Sequence, residues 1–255
     1  MTLQAFPYFT FAEIGAIVVV AGIVLSGLLV LRVRLHPGAR PERRVIAWLI
    51  GGLISWLVVA FWLSQAGLFR ATRNGPIPPF IAYGIALPIL LGLIPVLRSA
   101  AFGRVLDAVS QPWLVGVQLY RTLGVIFLVA YSGGLLPAVF ALPAGYGDIL
   151  VGVLALLVAG LVIRNGDAAR RLVRAWNMLG IADLVLAVTL GFLSAPGPLQ
   201  LLSLDAPNTT IGAFPMVMVP VFAVPLSILL HAASLRKLTR ERHARASAPR
   251  TVATA

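Results

Sequence analysis

The stretch WLVGVQLYRTLGVIFLVAYSG, Trp113–Gly133, decides how the chain is to be read. About 20 apolar residues at a rise of 1.5 Å cross a ~30 Å hydrocarbon core, and this run has that length. It carries one charge, Arg121, and no other charged residue occurs from Pro112 to Gly147. A guanidinium in mid-bilayer is costly unless it faces protein or water and meets a counter-charge. The stretch therefore predicts a membrane-spanning helix and a partner acid at similar depth elsewhere in the chain.

The composition agrees. Hydrophobic residues make up 60% of the 255 and charged residues 11%, with a mean hydropathy of +0.97. Soluble domains carry roughly a quarter charged residues. The expected fold class is all-α, a polytopic membrane helix bundle. Seven stretches are apolar and long enough: Phe11–Leu31, Val45–Leu68, Pro79–Leu97, Trp113–Gly133, Ala144–Ile163, Leu172–Leu193 and Ile211–Leu235. The net charge of +12 would point a soluble protein to nucleic acid, but its placement points to a lipid bilayer instead. Segments 32–44, 98–110, 164–174 and 236 onward hold five, two, four and six basic residues, seventeen in all, on one side. The other side holds Arg70 and Arg73. Positive residues stay cytoplasmic, so the N-terminus is expected outside and the C-terminus inside. No basic residue precedes Arg32, and the first apolar run is too long for a cleaved signal, so it is expected to remain as a span.

Other classes fall away on residue inventory. No cysteine is present, which excludes disulfides, thiolate metal sites and cysteine nucleophiles. His36, His231 and His243 are scattered, so no metal or cofactor is expected, and His231 lacks a second ligand. Lys237 is the only lysine and lies beyond the last expected span, which removes a retinal Schiff base. The preference for arginine over lysine reads as a GC-rich bacterial genome, hence a bacterial cytoplasmic membrane. The oligomeric state is not set by the sequence.

Residues 1–236 are expected to form the bundle, and 237–255 a disordered basic tail whose arginines meet anionic headgroups. The segment SAAFGRVLDAVSQP, Ser99–Pro112, has Phe102, Val105, Leu106 and Val109 on one helical face. It is expected to lie on the cytoplasmic membrane surface. A faint repeat also shows. FAEI (11–14) matches YGDI (146–149), RRVIAWLIGG (43–52) matches RRLVRAWNMLG (170–180), and proline triplets 79, 88, 95 match 215, 220, 225. That pattern suggests a 3+1+3 arrangement of parallel repeats, with a site between them as in transporters.

Depth identifies the partners of Arg121. It lies nine residues after Pro112, about 14 Å into its helix. Asp183 is 13 residues past Arg170, about 20 Å from the same edge. Asp148, five residues past Pro143 on the outer side, lies at roughly 22 Å of the ~30 Å core. Either acid, or both, can pair with Arg121. Gln118, Arg121 and Thr122 share one helical side, as do Asn177, Gly180 and Asp183, and Asp148, Gly152 and Ala155. Small residues at that spacing let membrane helices pack closely. The candidate substrate or proton site is thus Arg121, Asp148 and Asp183 with Asn177, Gln118 and Trp176. A purely structural ion pair would need one acid, and the second could carry an exchangeable proton. Glu13 sits at an outer helix start where the dipole suits it. Trp48, Trp62 and Trp113 are expected as interface anchors.

Two resemblances bear on function. Gly145-Tyr146-Gly147-Asp148 resembles the G-x-G-D signature of intramembrane aspartyl proteases, prepilin peptidases and presenilin-like enzymes among them. That resemblance implies two aspartates sharing a proton to activate water. In that family the partner aspartate precedes the G-x-G-D helix, whereas here Asp183 follows it. The set YRTLG, FALPAGYGD and WNMLGIAD resembles bacterial membrane proteins described only as hypothetical or, loosely, as permeases, and implies no mechanism. The reading placed first is a small transporter or permease-like protein. In it Arg121 binds an anionic group or the carboxylates relay protons. The second is an accessory or sensor subunit with a structural ion cluster, and the third is the protease.

Overall fold

The structure, a computed structural model, describes residues 7–36 and 38–247, with their side chains except those of 7–13 and 245–246. Glu13 and residues 248–255 of the expected tail therefore lie outside the described side chains and residues. Among the described residues every regular element is helical. Six stretches are long and apolar enough to cross a bilayer: Ile14–Arg34, Arg40–Gln65, Phe80–Arg98, Gln111–Ser132, Ala138–Ser194 and Val219–Ala244. The chain is a multi-pass helical membrane protein.

Helices α1 (Pro7–Arg34), α2 (Arg40–Gln65) and α3 (Phe80–Arg98) come first, then the short α4 (Ala100–Ala108). The Trp113–Gly133 stretch forms one rod of three parts: α5 (Gln111–Gly116), tightened 3₁₀ turns Val117–Gly124, and α6 (Val125–Ser132). The 57-residue stretch folds back at Gly166, which has φ +52°, into α7 (Ala138–Asn165) and α8 (Arg170–Ser194). These two pack along each other, and Trp176 Nε1 of α8 donates to the Val151 carbonyl of α7 at 3.1 Å. Helix α9 (Val224–Ala246) packs against α3, α5 and α8.

Three expectations are corrected. The last span begins at Val219, not Ile211, because Pro215 and Pro220 lack the amides a helix needs. Residues 195–218 instead form a largely irregular connection between α8 and the last span. Asn208 fixes it by accepting from Ile211 N at 3.2 Å and donating to Ser194 Oγ at 3.3 Å, and Thr210 Oγ1 donates to Leu135 O at 2.7 Å. Second, α4 does not lie on lipid. Phe102, Val105 and Leu106 are buried, and Phe102 and Leu106 share a core cluster with Val96, Leu114 and Ala233. Third, helix α9 continues ten residues past Arg236, where a disordered tail was expected to begin, so Lys237 falls within the last apolar stretch. That end is tied down. Arg236 donates to Ser99 O at 2.8 Å and to Val96 O, and Lys237 Nζ donates to Leu106 O at 2.9 Å, capping α3 and α4. Arg240 meets both oxygens of Asp107, at 3.0 and 2.6 Å, and those bonds hold the Asp107 carboxyl below its usual range. Trp113 is half-buried, and its indole covers Gly27 of α1. Trp48 and Trp62 are exposed, as a lipid-facing position requires.

Proline also breaks the start of α9. At Val219–Ala223 the helix widens, and the Val224 amide reaches back five residues to Val219 O. Pro225 has no amide to offer Val221 O four residues back. The indole of Trp56 in α2 supplies the missing donor, at 2.8 Å.

Candidate functional site

Arg121 sits in the 3₁₀ segment at 3% exposure. All three of its side-chain nitrogens are engaged. Nε donates to Asp148 Oδ1 at 2.7 Å. Nη2 meets Asp148 Oδ1 at 2.6 Å and Asp183 Oδ2. Nη1 donates to Gly180 O at 3.2 Å and faces His231 Nε2 at 3.4 Å. The open choice between the two acids is resolved: both hold the guanidinium. Each guanidinium nitrogen is thus taken up by protein groups, and in that sense the guanidinium is saturated.

Close approach depends on glycine at two positions. A Cβ on Gly147 would strike the Asp183 carboxylate, and one on Gly180 would strike the His231 ring and come within 3.1 Å of Arg121 Nη1. The second glycine of the G-x-G-D match thus has a packing role.

A buried polar row continues from the cluster between α8 and α9. Asn177 Nδ2 donates to Val173 O at 2.8 Å and Ser234 Oγ at 2.9 Å. Its Oδ1 is then the atom facing His231 Nδ1, at 2.9 Å. The network assigns the ring proton to Nδ1 and leaves the Nε2 lone pair toward Arg121. Ser234 Oγ also accepts from Gln111 Nε2 at 2.6 Å. Gln118 is fully buried but does not touch Arg121; its Nε2 donates to Ser227 O at 3.2 Å. Ser227 Oγ donates to Ala223 O, so Tyr120 O–H donates to Ser227 Oγ, at 2.7 Å. Trp176 packs on His231, ring centroids 5.0 Å apart, rather than on the ions. Thr122 turns away and donates to Leu119 O.

Sequence reasoning missed His231. The usable signal was Ser227, His231 and Ser234 at i, i+4 and i+7, one polar stripe on the last helix. Among the described residues no group of three His, Asp or Glu side chains could hold a metal ion.

Two cavities of about 50 Å³ each meet at Asp148. One is lined by Phe127, Phe140, Leu184 and Phe192 and roofed by Ala195, Ile211 and Gly212 of the 195–218 connection. Asp148 is the one charged side chain among its described lining residues. The other runs beside Ala16, Ile17 and Val20 of α1 to Tyr120 and Ser227. The Asp148 and Asp183 side chains keep 16% and 10% exposure, against 2% for Arg121. A family model matches residues 78–239, α3 through most of α9, including every residue of the ion cluster. The chain belongs to the family described as Domain of unknown function (DUF8737). Helices α1 and α2 lie outside the matched span. No curated protein and no solved structure matches the chain.

Proposed function

We propose that this chain is a small membrane transport protein of seven crossings, with its N-terminus outside and its C-terminus in the cytoplasm of a bacterial cell. Counting α7 and α8 separately supports the seven, and the one-sided basic connections support the orientation. The observation that carries the function is a charge count. One saturated guanidinium holds two carboxylates, so the cluster is formally one charge negative where it borders a cavity. An uncompensated charge at mid-membrane marks ion pathways and proton relays. The cavity size limits the ion. A water needs roughly 10–15 Å³ on this scale, and organic ligand pockets run to ~300–1,000 Å³. Cavities of about 50 Å³ suit a proton or a small monocation with a few waters.

The accessory-subunit reading has one observation in its favour: the same saturation cross-links α7, α8 and α9 through Arg121. Nothing favours the protease. A guanidinium held between the two carboxylates opposes the shared proton that water activation requires. Flux decides between the first two. Wild type and Asp148→Asn are reconstituted in liposomes containing a pH dye, and sodium, ammonium or a potential-driven proton flux is imposed. Transport predicts a dye response in wild type that Asp148→Asn lacks. Identical traces for every cation would leave the cluster as a structural tie.

A further inference from the structure

The widened turn Val219–Ala223 plays no part in binding Arg121, yet Val219 and the adjoining Val224 line both cavities that meet at Asp148. Broken helices beside an ion site are where transporters place movable walls, and widened turns recur at functional sites. This turn is weakly held. Pro225 offers no amide, and the Val224 amide is spent on Val219 O, so Pro220 O and Val221 O lose their regular helical donors. Val221 O is satisfied by Trp56 Nε1 from another helix, at 2.8 Å. Toward the cytoplasm the surroundings differ. Gln118, Asn177, His231 and Ser234 are fully buried, and Arg121 above them has all three side-chain nitrogens engaged.

We infer that the turn Val219–Ala223, latched by Trp56, is an outer gate admitting protons and small monocations to Asp148 from the external side, while Arg121 and the buried polar row close the cytoplasmic side. The inference rests on the transport reading for the use made of the ion, not for the access route. The charged and titratable groups around Asp148 are Arg121 and Tyr120 from the 3₁₀ segment, Asp183 from α8, and His231 of α9 behind the guanidinium. The described cavity-lining residues of α1, α3 and α6 bring no charge. Asp148 lines both cavities, Arg121 the second alone and Asp183 neither, so the roofed cavity is faced by one negative charge, which attracts cations.

The absence of cysteine makes the test clean, because a single introduced thiol reports without background. Ala187→Cys places it in the roofed cavity, and Ser234→Cys in the buried row. Right-side-out and inside-out vesicles are treated with a cationic aminoethyl thiosulfonate and a neutral methyl thiosulfonate. The Ala187→Cys thiol should react from the external side about tenfold faster than from the cytoplasmic side, and the Ser234→Cys thiol from neither. Adding Asp148→Asn should lower the cationic-to-neutral rate ratio about tenfold, the low end of focusing in a charged cleft. Trp56→Phe, which lacks the indole donor, should speed the external reaction severalfold. Pro225→Ala offers Val221 O an amide and should slow it, and this variant serves if Trp56→Phe does not fold. Equal reaction from both sides, or rates unmoved by both gate variants, would overturn the gate. An unchanged reagent ratio in Asp148→Asn would overturn the attraction. Sided, gated reactivity alongside undiminished flux in Asp148→Asn would remove the transport reading and leave the gate.

Discussion

Helices α2 and α8 carry nearly the same opening, two arginines, then Ala-Trp, then glycine four residues on, and they sit in opposite surroundings. Trp48 is 76% exposed and Trp176 is 3% exposed. A Cβ on Gly52 would meet nothing within 4 Å, whereas one on Gly180 would enter the ion cluster. The α8 copy lies inside the family match and the α2 copy outside it. In water such a contrast would need different residues, because one face would have to be polar. In a bilayer lipid tails are as apolar as leucine, so the same letters suit a lipid-facing helix and a core helix. What separates the copies is an inserted Arg174 before the Ala-Trp pair, Asn177 in place of Leu49, and the acid Asp183 one turn past the glycine.

The contrast can be broken or sharpened by paired substitutions. The largest effect belongs to the ions. Arg121→Met strands two carboxylates, and deleting one partner of a buried pair costs about 3–5 kcal/mol. The melting temperature in detergent should fall sharply, and adding Asp183→Asn should recover part of it. Arg44→Met in the α2 copy, exposed, should stay within about 0.5 kcal/mol. Equal losses would mean the cluster is not the centre of stability. Gly180→Val should cost about 1–3 kcal/mol by overpacking against His231 and Arg121, and Gly52→Val none. A neutral Gly180→Val would show that the close approach is not needed. Trp176→Phe removes the bond to Val151 O, worth about 0.5–1.5 kcal/mol. Brominated lipid should quench Trp48 fluorescence and spare Trp176, a measurement best made on single-tryptophan variants. The smallest effect is at the α4 end of the bundle, where Glu42–Arg104 ties α2 to α4 and Asp107–Arg240 ties α9 to α4. The folded Asp107 carboxyl is held low by Arg240. Its contribution is present above the unfolded value near ~3.9 and is lost as pH falls through the folded value. Both partners are substantially exposed, so the pair is worth about 0.2–1 kcal/mol. Between pH 5 and 3, Asp107→Asn should lose less stability than wild type.

Much of this arrangement can be read from the sequence. One arginine in an apolar run requires acids at its depth, and helical spacing put Asp148, Asp183 and Asn177 on inward faces. The contribution of His231 is hidden because a lone histidine near a helix end has no sequence partner; Asn177 and Arg121 become its partners only when α8 and the 3₁₀ segment meet α9. The burial of α4 is hidden for a related reason. An apolar stripe at helical spacing fits lipid or protein equally, and only the docking of Lys237 and Arg240 decides. Residues 195–218 read as partly apolar, and it is the irregular hydrogen bonds of Asn208 and Thr210 that hold this connection outside a regular helix.

The saturation of Arg121 also sets an order of assembly during synthesis. Its acids arrive 27 and 62 residues later in the chain, and His231 110 residues later. At about 5–20 residues per second the ribosome needs roughly 3–12 s to reach Asp183. For those seconds the α5–α6 rod carries an unpaired arginine, against an insertion cost of about 2.5–3.5 kcal/mol at mid-membrane. The rod is therefore expected to wait at the insertion machinery until the α7–α8 hairpin emerges, and to enter the lipid together with it.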